Sequence, residues 1–144
     1  YLFGTSMGAA AIMKACSEYD IHPKGIMIEC PFGSMYKTVC ARFKTMHAPT
    51  FPMAGLLVFW GGVQNGFWAF GHNPIEYAKK INCPTLLLYG EKDEKVSKEE
   101  IEEIFNNLKG PKKLRTYPNA GHENYLIKYK EQWTKDVAGF MATN

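Results

Sequence analysis

The 144-residue sequence predicts an α/β domain in which a mainly parallel sheet is flanked by helices. Three observations point there. Short, continuous apolar runs at residues 25–30 and 84–89 alternate with segments whose apolar residues recur at helical spacing. The runs lack polar–apolar alternation, which marks strands covered on both faces, as in a parallel sheet. The helical segments between them are of the length that parallel crossovers require.

The first element is a stub, Tyr1-Leu2-Phe3, read as the end of a strand. Residues 7–19 follow as a helix whose small and apolar residues (Ala9, Ala10, Ile12, Met13, Cys16) pack closely against a sheet. The run 25–30 is the second strand and stops before Pro31. Residues 84–89 form the third strand and run into Gly90. Ser97 and Glu100 have the spacing of a capping box, with Ile101, Ile104, Phe105 and Leu108 on one face behind it. Gly110 and Pro111 stop that helix. Residues 113–117 are mixed in character and suit a strand near an edge. The last segment, 124–142, reads as one amphipathic helix with Tyr125, Tyr129, Trp133, Val137 and Phe140 along a stripe.

Residues 32–80 interrupt the alternation. Between Thr45 and Ile75 there is no Asp, Glu, Lys or Arg, and the stretch is rich in aromatic residues. Pro52, several glycines, Gln64 and Asn65 argue against a spanning helix. An insertion packing over the sheet, lid-like or plain core, is expected within a single domain covering residues 1–144. Membrane contact is not expected, although the stretch Met53 to Trp60 is the place where lipid would touch.

Composition excludes other classes. The chain is 46% hydrophobic and 22% charged, ordinary for a globular domain. A formal charge of +3 and scattered lysine pairs without interleaved aromatics argue against a nucleic-acid surface. Cys16, Cys30, Cys40 and Cys83 form no C-x-x-C pair and read as free thiols.

The chemistry begins at Gly4-Thr5-Ser6-Met7-Gly8, which has the form G-x-S-x-G. An apolar stub precedes it and a small-residue helix follows, the strand-to-helix setting in which such a turn displays a nucleophilic serine. Gly4 and Gly8 are expected to leave no room for a Cβ against the neighbouring strand and helix. Further along, Asp93 lies in the loop just beyond the third strand, where active sites of open α/β sheets gather. His122 lies in the loop after the next strand. A lone histidine is more often structural, but one that follows a serine turn and a strand-end acid is not alone. His22, His47 and His72 lack a comparable setting. His122-Glu123-Asn124-Tyr125-Leu126 is not H-E-x-x-H, so no metal is implied, and no glycine-rich phosphate loop is present.

Together the Gly4–Gly8 turn, Gly90-x-x-Asp93-x-x-Val96 and Ala120-Gly121-His122, in the order Ser, acid, His, resemble the C-terminal half of an α/β-hydrolase. The resemblance spans almost the whole chain and implies the last four strands of that fold, truncated at the N-terminus. It makes Ser6 the nucleophile, His122 the general base and then acid, and Asp93 the group that orients the imidazole. The Met7 amide would supply one oxyanion donor. A second usually comes from an upstream strand, so the chain by itself is expected to be impaired. Glu29, at the end of the second strand, is the rival acid; Asp93 is preferred. The implied activity is a serine hydrolase cleaving a carboxylic ester, thioester or amide through an acyl-enzyme, with no cofactor. A substrate with an apolar acyl or aromatic group is expected from the 32–80 segment. The alternatives are an aminopeptidase-like or lipase-like member, and a non-catalytic binding protein on the same fold. Localisation and oligomeric state are not read from these residues.

Overall fold

A computed structural model describes all residues, 1–144. Its four strands are β1 (Leu2–Thr5), β2 (Ile26–Glu29), β3 (Thr85–Gly90) and β4 (Lys112–Tyr117). They form one sheet in the order β1-β2-β3-β4, and every neighbouring pair is parallel. The helices are α1 (Met7–Glu18), α2 (Met35–Thr45), α3 (Met53–Asn65), α4 (Pro74–Ala78), α5 (Lys98–Asn107), α6 (Tyr125–Lys128) and α7 (Lys130–Thr143). A 3₁₀ turn at Ala69–Gly71 separates α3 from α4.

The two central strands explain the continuous apolar runs. Every residue of β2 and β3 is buried, and successive side chains enter opposite layers. Ile26, Ile28 and Leu87 join Ala9, Ala10 and Met13 of α1, Ile75 and Ala78 of α4, and Ile101 and Ile104 of α5. Met27, Leu86 and Leu88 join Tyr117, Tyr125, Val137 and Phe140 on the other face. Helices thus cover both faces, the arrangement a parallel sheet needs. β4 is mixed as its sequence suggests, with Lys112 and Lys113 exposed and Tyr117 buried.

Gly4 and Gly8 differ. A Cβ on Gly4 would lie 2.7 Å from the Gly8 carbonyl carbon and 2.8 Å from the Ala9 nitrogen, so β1 and α1 meet backbone to backbone there. A Cβ on Gly8 would meet nothing within 4 Å. The expectation of no room therefore holds at Gly4 and fails at Gly8, because it is the Gly8 carbonyl, not its Cα, that faces the strand. Gly4→Ala is expected to destabilise the protein by about 1–3 kcal/mol, as overpacking does. Gly8→Ala, in a solvent-facing helix position, should not. Urea midpoints of the two variants check this.

One further expectation is corrected. The final segment is not one helix: α6 ends and α7 begins at Tyr129, whose backbone (φ −127°, ψ 41°) leaves the helical region. Tyr125 stacks on Tyr117 with ring centroids 4.7 Å apart, and Tyr129 reaches the same ring at 5.6 Å. Packing of three tyrosines overrides helical continuity here. Residues 32–80 also divide. Phe32, Ile75 and Ala78 belong to the main core, whereas α3 keeps Leu56, Leu57, Phe59, Trp60 and Val63 exposed. No helix is long and apolar enough to cross a membrane.

Candidate active site

Ser6 occupies the step between β1 and α1 with φ 48° and ψ −110°, outside the regions L-residues favour. Holding a non-glycine residue there costs on the order of 1–3 kcal/mol. Two constraints maintain it. The Ser6 N–H donates to the Glu29 carbonyl at 2.8 Å, and the Gly4 crossing brings α1 against β1 directly behind it. The side chain is thereby lifted off the C-terminal edge of the sheet, half-buried rather than sunk in the core.

His122 follows β4 and lies above the same edge. Its Nε2 is 3.2 Å from Ser6 Oγ, and its Nδ1 is 2.7 Å from Asp93 Oδ2. Asp93 follows β3, and its carboxyl is fully buried. Asp93 Oδ1 accepts the backbone N–H groups of Lys95 at 2.8 Å and Val96 at 3.1 Å. Burial pushes this carboxyl up, but the hydrogen bonds from His122, Lys95 and Val96, with the imidazole charge, outweigh it and hold it below the ordinary carboxylate range. The loop is closed by Gly90, where a Cβ would lie 2.5 Å from the Ala120 carbonyl oxygen. This close approach brings the acid loop and the histidine loop together.

Ser6, His122 and Asp93 thus form one hydrogen-bonded line across three loops. With Asp93 accepting from Nδ1, the imidazole presents a bare Nε2 to the Ser6 hydroxyl. Such a line can draw a proton off the hydroxyl as it attacks a carbonyl carbon. Met7 opens α1, so its N–H has no acceptor in the preceding turn of the helix.

The rival acid has a different partner. Glu29 is buried and accepts the Trp133 Nε1–H. Burial pushes its carboxyl up, and the Trp133 hydrogen bond offsets this only in part. Such a group loses stability as pH rises from the unfolded value towards the folded one. Glu29→Gln keeps an acceptor for Trp133 without the charge. It is therefore expected to melt above the parent at pH 7, with the difference vanishing below about pH 4.5, the ordinary glutamate value. Melting curves across pH 4–8 check the sign.

The other histidines stand apart. His22 and His47 are exposed, and His72 is buried against Tyr77, with Nδ1 at 3.1 Å from its hydroxyl. One neighbour escaped the sequence reading. Cys30 sits at positive φ (43°) just past β2, and its Sγ comes within 4.8 Å of the Asp93 and His122 ligand atoms. The thiol is hydrogen-bonded to the Tyr125 hydroxyl at 2.5 Å, and burial pushes it up to about 12. Its position at a strand end on the reactive edge is the signal that was available.

Comparison with solved structures shows the α/β-hydrolase fold. An esterase of Pyrococcus furiosus superposes with a TM-score of 0.72 and 23% identity over 98% of this chain and 52% of its own. The acylaminoacyl peptidase of Pyrococcus horikoshii gives 0.70 and 15%, over 97% of this chain and 23% of its own. An acetyl xylan esterase of Paenibacillus sp. R4 gives 0.63 and 19%, over 94% and 43%. The chain therefore spans about half the length, or less, of these proteins. A search of curated proteins finds no match. A family profile, that of the PhoPQ-activated pathogenicity-related proteins, matches residues 70–143, a stretch that includes Asp93 and His122. Since that match covers just over half of the 144 residues, the chain belongs to the PhoPQ-activated pathogenicity-related protein family.

Proposed function

We propose that this chain carries the nucleophile, base and acid of a serine hydrolase that cleaves a carboxylic ester through an acyl-enzyme. The reading is carried by one observation: the continuous Ser6–His122–Asp93 line, at 3.2 and 2.7 Å, on a strained serine turn. His122 Nε2 takes the Ser6 proton as Oγ attacks the ester carbonyl carbon. Asp93 holds the imidazole in the required tautomer and stabilises the imidazolium. The Met7 N–H faces the oxyanion. Collapse of the tetrahedral adduct expels the alcohol, which receives the proton from His122. Water then attacks the acyl-enzyme by the same path, releasing the acid and restoring Ser6.

Two of the superposing proteins are esterases, which favours an ester over other acyl compounds. The test is covalent: a neutral fluorophosphonate probe should modify the protein, and peptide mapping should place the adduct on Ser6.

A further inference from the structure

A cleft of about 520 Å³ opens beside His122, on the side bordered by α2 and the loop after β3. That volume lies within the range of small-ligand sites. Only two of its nine lining residues, Ala41 and Met46, are hydrophobic. The aromatic residues of the 32–80 segment do not reach it, and Phe59, Phe67 and Trp68 border a separate groove. Instead, Arg42 enters from α2, and Lys92 and Lys95 enter from the acid loop, against one carboxylate, Glu94. None of the seven ion pairs in the molecule engages Arg42, Lys92 or Lys95.

Two of the cations stem from the loop that carries Asp93. Lys95 follows Asp93 by two residues, and its backbone N–H is one of the bonds that fix the Asp93 carboxyl. Lys92 Nζ donates to Asn119 Oδ1 at 3.1 Å, which ties it to the loop that bears His122. A second, smaller cleft at His122 differs in charge. It is lined by Ser6 and two carboxylates, Glu29 and Glu123, the latter paired with Lys128 at 2.7 Å, and by no lysine or arginine. An anionic group would be drawn to the Arg42 side, which sets the direction in which an ester lies.

We propose that the Arg42–Lys92–Lys95 cleft binds a negatively charged group of the substrate, so that the preferred ester carries a second, ionised carboxyl. The proposal rests on the serine-hydrolase reading and supplies its substrate class. The anion is tested on either side of the scissile bond. One pair is the 4-nitrophenyl ester of adipic acid against that of monomethyl adipate. The other is 3-carboxyphenyl butyrate against its methyl ester.

In at least one pair the ionised member is expected to show about tenfold higher kcat/KM, entering through KM, as three exposed charges acting together supply. Replacing Arg42→Gln and Lys95→Gln together should bring the ratio within a pair to near one, whereas Lys113→Gln, on exposed β4, should leave it unchanged. Equal or better use of the neutral ester in both pairs overturns the proposal. So does a preference that survives the double replacement. Calorimetry on Ser6→Ala decides the matter without turnover: the ionised ester of the pair should bind tighter than its methyl ester, and equal binding in both pairs overturns the proposal. The neutral fluorophosphonate, which carries no anion, tests the hydrolase reading separately.

Discussion

Ser6→Ala is expected to abolish labelling by the fluorophosphonate and to lower kcat on an ester substrate by about 10⁶-fold. The size of the effect follows from the way the site is built. The hydroxyl, the imidazole and the carboxylate act as a unit, so removing the first leaves the other two with no nucleophile to deprotonate. Removing one hydroxyl also spares the packing: Ser6 is half-buried, and its side chain caps no helix. The folded population should therefore be retained, and a melting curve alongside the kinetics separates lost chemistry from lost structure. Ester hydrolysis that persists within tenfold of the parent would remove Ser6 from the mechanism.

Asp93→Asn is expected to cost about 10⁴-fold in kcat, with little change in KM. The carboxylate accepts from His122 Nδ1 and from two backbone amides, so an isosteric amide can satisfy only part of that set. Its NH₂ group, turned to Nδ1, would favour the tautomer that places the proton on Nε2. That proton then faces the Ser6 hydroxyl and blocks its deprotonation. Glu29→Gln provides the contrast, since its carboxyl bonds to Trp133 instead of the histidine. It should change kcat by less than about tenfold. A reversal of the two outcomes would assign the acid to the end of β2.

The sheet was the most readable part of the sequence. Strands buried on both faces carry unbroken apolar runs, and 25–30 and 84–89 contain β2 and most of β3. The capping box at Ser97 and Glu100 was equally clear and forms in both directions. The Gly4–Gly8 turn could be recognised in part because the close approach of α1 at Gly4 leaves space for glycine alone there. What local pattern could not convey was partnership over distance. Trp133 bonds to Glu29 across 104 residues and Tyr125 to Cys30 across 95, so neither pairing leaves a mark in sequence spacing. The break at Tyr129 goes with a tilted ring contact to Tyr117 of β4, which helical periodicity does not encode. The cationic cleft escaped for a similar reason. Arg42 and Lys95 look like ordinary solvated charges until α2 and the acid loop face one another.

The loops that bear the acid and the base touch through main chain, since a Cβ on Gly90 would lie 2.5 Å from the Ala120 carbonyl oxygen. Their spacing is thus set by backbone and not by rotamers. A wedge as small as one methyl group at position 90 would pry the two loops apart and stretch the Asp93–His122 bond, while the strands beneath kept their pairing.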